Sequence, residues 1–539
     1  MSWICKKCGK TKTKNGGWTN LLNHLRSCIG EDFRSVFDNA CNESNNNRNN
    51  GGIGGYVLRL SNTEKEMFQW IELIVMKNLP VGFIDCPYVR NMSKLRPVSV
   101  KTLRQHVIAL SNVMKEKIKA ELPSKFVVVF DGWTEGTEHF IAISASYTVI
   151  DSTTGKEVPV QVMLSMQPLL SDGIEGMTAA DHLQHISSVL GMYGKRCGDI
   201  LCLAGDNCSV NQCMARTLQV PLLGCGSHKL NLAVRLWIDE EPGLAAILSK
   251  VSNVMKKAST LKVASKLRAL THYSTVRENA TRWSSTYQMV SRFLKIQHHL
   301  SAIVDLLAIF PTHIEMDVLA RAHVVMKKFD EVTVMLQKEN ISFLRVREIF
   351  DEVLQDFPSF DTHLGTDASI VQSPVFEKAV VRISKGLPLS AEQRTEVALL
   401  LKTEQEDLST STADTEGSSD NTQDEEELRE ETYTEVLERR LKRQKTMNAD
   451  TQNIYWNLDM LPGTSVNCER QFSLAKHILT DTRKRTSAGL FEALLLLKVN
   501  RRLWNEYSVG QAMGRSSTNG SDHEDYLEAE DEEADSFWN

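Results

Sequence analysis

No run of 18 or more apolar residues occurs in these 539 residues, although 42% of the side chains are hydrophobic, so a membrane-spanning helix is not expected. The N-terminal stretch MSWICKKCGK resembles neither a secretory signal nor a transit peptide. The chain is therefore expected to be soluble and intracellular, with reduced thiols. An odd count of 11 scattered cysteines argues against a disulfide framework. Basic residues are nearly missing from two segments: Glu404 to Glu431 holds 12 acids and one Arg, and Asp522 to Asp535 holds 9 acids and no Lys or Arg. Outside them stand 61 basic against 47 acidic residues, a net of +14 hidden beneath an overall −6. That remainder fits a polyanion binder, and on charge alone it equally fits a merely basic globular protein. The length calls for two to four domains.

Met1 to Ser35 concentrates seven Lys/Arg against two acids and carries the most specific metal signal. Cys5 and Cys8 form a C-x2-C knuckle, and His24 and Cys28 follow after fifteen intervening residues at H-x3-C spacing. LLNHLRSC reads as a helical turn, which puts His24 and Cys28 on one face. Three thiolates and an imidazole close a tetrahedron with no open position, so a Zn²⁺ here is expected to be structural. Lys10, Lys12, Lys14 and Arg26 lie where a small finger meets DNA phosphates.

Composition and period divide the rest. A finger over residues 1–36 precedes an Asn/Gly-rich flexible linker over 37–55. A helical DNA-binding or dimerisation domain is expected over 56–122. The first part of a mixed α/β core spans 123–237. Its strands VVVFDGW, HFIAISASYTVI, VPVQVMLSM, ILCLAGDN and PLLGCG alternate with helices in the order βββαβαβα. Helical periods fill 238–400 as an all-α insertion, and residues 401–435 are acidic and disordered by composition. A C-terminal region over 436–508 follows, and 509–539 is an acidic tail. ERRLKRQK, Glu438 to Lys445, is a solvated helix face or a nuclear address. LLLLKVNRRLW offers an apolar face for self-association.

Within the core, VVVFDGW places Asp131 where another valine would suit. Asp-Gly is a common turn signal, and on that reading it opens a hairpin. The other reading pairs Asp131, ending the first strand, with Asp206, ending the fourth. Neighbouring strands would bring both carboxylates to one sheet edge, as in an RNase H-like nuclease, where two Asp and a third acid hold a Mg²⁺ pair across a phosphate. NCERQFS supplies a third acid, Glu469, which otherwise reads as a charge favoured at a helix N-terminus.

FDGWT, AGDN, the C-x2-H of Cys225 and His228, the TRW of Thr281 to Trp283, and NCERQFS with ILTDTRKRTSAGLFEALLLLK stand together in one order. With them the chain resembles the hAT superfamily of DNA transposases, and its finger resembles a BED-type zinc finger. Cys468 stands where that family usually has Ser. The resemblance implies an RNase H-like sheet completed by the C-terminal dimerisation region. It also implies catalytic Asp131, Asp206 and Glu469 holding Mg²⁺ or Mn²⁺, with His228 lining the pocket. Trp283 would stack a flipped base beside Arg282 on phosphate, and Trp133 joins them as a DNA-contacting aromatic. Transposon ends and target DNA, a homodimer or higher homo-oligomer, and a nuclear location are the implied partners and place. A domesticated DNA-binding regulator without cleavage is the alternative, and an assembly scaffold a third class.

The ligand spacing predicts one Zn²⁺ per chain. Metal analysis of purified Cys8→Ser protein should show that zinc lost, whereas undiminished zinc would place the ion on other residues.

Overall fold

Three valines between Phe126 and Phe130 have the β-branched and aromatic character that fits a pleated, buried surface. The computed structural model describes residues 2–5, 10–13, 24, 27–28, 57–151, 154–170, 176–279, 282–402, 431–444, 454–479 and 487–516. In it this run opens the central strand of a five-stranded mixed sheet.

A small sheet comes first in the chain. β1 (Ser2–Cys5) pairs antiparallel with β2 (Thr11–Thr13) and with β3 (Val57–Arg59). The helical segment expected from residue 56 therefore starts with a strand joined to the N-terminal piece. Two helices follow. α1 (Asn62–Lys77) starts with a capping box between Ser61 and Glu64, and α2 (Val100–Glu121) is capped by Ser99. Leu122 leaves the last helix in extended geometry because Pro123 follows it.

The large sheet contains β4 (Phe126–Glu135), β5 (Glu138–Ile150), β6 (Glu157–Pro168), β7 (Ile200–Gly205) and β8 (Leu222–Gly224), in the order β6-β5-β4-β7-β8. β4, β5 and β6 form an antiparallel meander, and β7 and β8 add in parallel beside β4. Crossovers through α3 (Ala179–Met192) and α4 (Ser209–Leu218) make the parallel part possible. With α5 (Gly226–Glu240) after β8, the expected element order βββαβαβα is the observed one.

The period of two along β4 sorts its side chains. Phe126, Val128 and Phe130 pack with Ile186 and Val189 of α3 on one face, whereas Val127 and Val129 face Leu103 and Val107 of α2 and the C-terminal helices. Beyond the sheet, α6 (Leu244–Ala258), α7 (Leu261–Leu270), α8 (Trp283–Ser301), α9 (His313–Leu336), α10 (Phe343–Asp356) and α11 (Pro374–Ser384) form the helical insertion. α12 (Tyr433–Gln444) packs on α9 and α10 through Tyr433, Leu437 and Leu441. Its Arg440 bonds Asp356, so that part of the basic run is engaged within the chain; Lys445 lies outside the described residues.

α13 (Val466–Ile478), α14 (Ala488–Val499) and α15 (Glu506–Ser516) return to the sheet and to α1 and α2. The region expected to present an apolar face for self-association is a correction to the sequence reading. Leu495, Leu496 and Leu497 are fully buried inside the chain, and Trp504 is 2% exposed. A helix apolar all round belongs in a core, where each such leucine contributes about 1.5–3 kcal/mol. Among the described residues no helix is long and apolar enough to cross a membrane.

α14 also carries one buried acid, Glu492. Its Oε1 accepts from Ser165 Oγ at 2.6 Å, and its Oε2 accepts from Gln167 Nε2 at 3.0 Å and Lys115 Nζ at 3.2 Å. The carboxylate thereby ties α14 to β6 and α2. Replacing it strands three donors in the interior. Glu492→Leu should lower the urea-unfolding midpoint, equivalent to a loss of about 3 kcal/mol; a midpoint unchanged from wild type would remove this hub from the account.

Candidate active site

The parity of β4 that sends Val127 and Val129 toward the C-terminal helices sends Asp131 the same way. The Asp-Gly pair is not the hairpin turn. β4 runs on to Glu135, Asp131 lies opposite Ala142 of β5, and the chain reverses at Gly136, whose φ of 60° suits a residue without a Cβ. Asp131 therefore does not end its strand; what ends there is the parallel pairing. The registers Val128↔Leu203 and Val129↔Ala204 are the last between β4 and β7. β7 stops at Gly205, and Asp206 follows at once. The two carboxylates flank the point where the parallel neighbours part, the carboxyl end of the strands, where open α/β sheets place their ligands.

Local bonds hold each acid. Asp131 Oδ1 accepts from the Gly132 amide at 2.8 Å. Asp206 Oδ1 accepts from Asn211 Nδ2 at 2.6 Å and from the Cys208 amide at 3.3 Å, which fixes the turn into α4. Asn207, beside it, has both amide atoms buried without a partner.

Glu469 arrives after 262 intervening residues. The Gly226 amide donates to the Gly463 carbonyl at 2.9 Å, and a Cβ at Gly226 would come within 3.0 Å of that oxygen, so the close approach needs glycine. The Ser465 amide donates to Cys225 Sγ at 3.4 Å, Gln471 Nε2 to Ser144 Oγ at 3.0 Å, and Asn467 Nδ2 to Gln161 Oε1 at 2.7 Å. Together these fix α13 across the sheet with Glu469 in its first turn. Phe472 packs its ring 5.7 Å from Trp133. The α5 helix that carries His228 is anchored from behind by the buried pair Lys229–Glu377 at 3.3 Å.

The electrostatics register the gathering of the three acids. Burial pushes the Asp131 carboxyl up to about 7, and the charges of Asp206 and Glu469 add to the rise, against the Gly132 amide and Arg282. Burial also raises Glu469, with Arg282 and then His228 opposing. Arg282 Nη2 stands 2.9 Å from Glu469 Oε2. Within the described residues no three His, Cys, Asp or Glu side chains converge tightly enough to cage an ion. Asp206 and Glu469 stand near enough to Asp131 for their charges to act on it, and Glu469 is paired with Arg282. Cys468 is fully buried and its thiol is pushed well above its ordinary range by burial first, so it packs as a neutral group.

Other sequence candidates fall differently. Trp283 is corrected: it is 4% exposed, with its ring against Tyr287 and Phe329, and its amide donates to Asn231 Oδ1 at 3.0 Å. It is a core residue of the insertion and presents no open face to a base. Trp133 is half-buried, stacked 5.4 Å from Phe140, with Lys476 Nζ 5.5 Å above it. Cys5 falls in β1, Lys12 in β2, and Lys10 is exposed; His24 and Cys28 lie on helical backbone. Cys8, Lys14 and Arg26 lie outside the described residues. Asn211 and the Gly226–Gly463 contact escaped sequence reasoning, because a side chain that orients a carboxylate and a glycine that lets two loops touch have no spacing signature. No protein-family model matches the chain, and no curated protein matches it.

The raised Asp131 carboxyl has a sign that can be checked. From about pH 4 to about pH 7 the folded chain holds a proton that the unfolded chain has lost, so stability falls as pH rises through this window and is flat above it. Asp131→Asn removes that penalty, worth up to about 4 kcal/mol. Without divalent ions, the variant should gain stability over wild type at pH 8 and gain little at pH 4. An equal gain at both values would detach the shift from the Asp131 charge.

Proposed function

We propose that this chain is a DNA transposase of the hAT type, an enzyme that binds element ends and performs divalent-metal-dependent strand cleavage and strand transfer on an RNase H-like core. The observation that carries the reading is the meeting of Asp131, Asp206 and Glu469, three acids from distant parts of the chain, at the parting of β4 and β7. The arrangement of an antiparallel meander followed by two parallel strands supports the same reading.

The donor set suits a hard cation. Three carboxylates offer oxygen ligands, and Asp131 is raised to about 7 in part by its two acidic neighbours, a deficit of positive charge that a divalent ion offsets. Asp131, Asp206 and Glu469 would hold Mg²⁺ or Mn²⁺. When bound, such ions activate an attacking oxygen and stabilise the leaving oxygen of an in-line displacement at phosphorus.

The chain's own groups do the positioning. β4 and the Gly132 amide hold Asp131 rigid, and Asn211 orients Asp206. Arg282, 58% exposed at its side chain, forms a fork that fits phosphate as well as carboxylate, so a DNA phosphate can draw it from Glu469 and free that acid. His228 adds positive potential beside Glu469. The finger with its Zn²⁺ and Lys10 would hold duplex DNA, and a nuclear location and a homo-oligomer belong to this reading.

The second reading, a transposase-derived DNA-binding regulator without cleavage, draws on the Arg282–Glu469 pair, which occupies one of the three acids. Cleavage separates the two. With Mg²⁺ or Mn²⁺ and a duplex carrying the terminal repeats of its own element, the wild-type chain should nick the DNA. Asp206→Asn and Glu469→Gln should each cut at least about a thousandfold more slowly, roughly 4 kcal/mol of barrier, while binding the duplex as before. Cleavage within about tenfold of wild type in either variant would refute the carboxylate assignment, and a wild type that binds without cutting would leave the regulator.

A further inference from the structure

The helical insertion holds a charge asymmetry that the carboxylate site does not explain. Residues 251–300 contain nine Lys/Arg and one acid, Glu278, in a chain whose acids otherwise outnumber its bases. Eight of the nine are exposed, Arg292 being half-buried. Elsewhere in the insertion several cations pair with carboxylates, as in Lys250–Glu315, Lys338–Glu438 and Arg345–Glu348. Within 251–300 only Lys266, with Asp305, and Arg282, with Glu469, are so paired among the described residues.

These cations are also arranged. The segment between α7 and α8 lies back along α8, where Arg292 Nη1 donates to the Ser274 carbonyl at 2.5 Å and Lys295 Nζ sits 4.1 Å above the Tyr273 ring. Arg277 Nε donates to Ser259 Oγ at 3.0 Å, bringing the segment against the end of α6 beside Lys257. Asn279 is closed onto Ser285 Oγ through its amide and its carbonyl, both at 2.8 Å. The row runs from Lys295 past Arg277 to Arg282 and so ends at Glu469. Along α8 that distance is about 18 Å at 1.5 Å per residue, or roughly five base-pair steps of duplex at 3.4 Å each.

We propose that this surface, the 271–279 segment with the adjoining ends of α6 and α8, is a phosphate track that leads duplex DNA toward the carboxylates. Cations held in a row with few counter-carboxylates, Glu278 within the segment and Glu469 at its end, repel one another, and a polyanion relieves that repulsion while releasing its own condensed counterions. The inference rests on the reading of DNA as the substrate, yet it concerns a surface separate from the finger and from the acids.

The test uses the full-length, zinc-loaded chain and a labelled 20-base-pair duplex of unrelated sequence, with no added Mg²⁺ or Mn²⁺, across 50 to 300 mM salt. Lys257→Gln with Lys295→Gln should weaken binding on the order of tenfold and reduce the salt slope by nearly two, about 0.9 per lost contact. Lys156→Gln with Lys385→Gln, exposed lysines elsewhere, should change neither. Melting temperatures of both doubles should match wild type, and a triple variant adding Arg277→Gln should weaken binding further. Equal slopes in wild type and the Lys257/Lys295 double would overturn the track, as would polyglutamate of matching charge displacing the duplex as effectively as DNA does. Because cutting is not read, a track lost in a cleaving enzyme fails this inference alone, and an intact track in a chain that never cleaves fails the proposed activity alone.

Discussion

Burial of a carboxylate beside two further acids is the constraint around which this structure is organised. Three carboxylates that stayed in water would cost the fold nothing. Here the sheet and α13 bury Asp131 beside the other two, and burial first, with the charges of Asp206 and Glu469 adding to it, raises its carboxyl to about 7. Holding them there takes the rigid backbone of β4, the Asn211 bond to Asp206, the Gly226–Gly463 contact, and the buried hub at Glu492 that locks α14 to the sheet edge. Arg282 supplies one compensating charge from the insertion. The fold tolerates this cost where a turn residue would never have to meet it.

That balance explains the division of labour along the chain. The sheet provides two acids at a point where parallel strands part, and only the returning C-terminal segment provides the third. The insertion between them contributes Arg282 to the same space and its basic row beside it. The apolar surface of α14 is consumed in joining the return to α2 and β6, so any assembly of copies has to use other surfaces.

Much of the core was legible because its signals are local. Valine runs and alternation gave the five strands and their order, and helical periods gave the insertion. Asp131 and Asp206 were legible as strand-end acids, although β4 outruns its parallel neighbour and turns later, at Gly136. Glu469 depended on motif resemblance, since no local rule joins residues with 262 others between them. Two expectations failed for the same physical reason. Trp283 and the leucines of α14 are large apolar groups, and sequence does not say whether such a group meets a ligand, a second chain or its own core. The pairing of β3 with β1 was equally hidden, because a three-residue strand leaves almost no pattern.

The central claim is that the three acids share divalent cations, and counting ions addresses it without any assumption about substrate. Mn²⁺ titrated at pH 7.5 into the purified chain, followed by calorimetry and by the magnetic-resonance signal of free Mn²⁺, should reveal saturable binding of at least one ion per chain. That binding should vanish both in Asp131→Asn and in Glu469→Gln. No saturable Mn²⁺ in the wild type, or the same stoichiometry and affinity in all three proteins, would contradict the account.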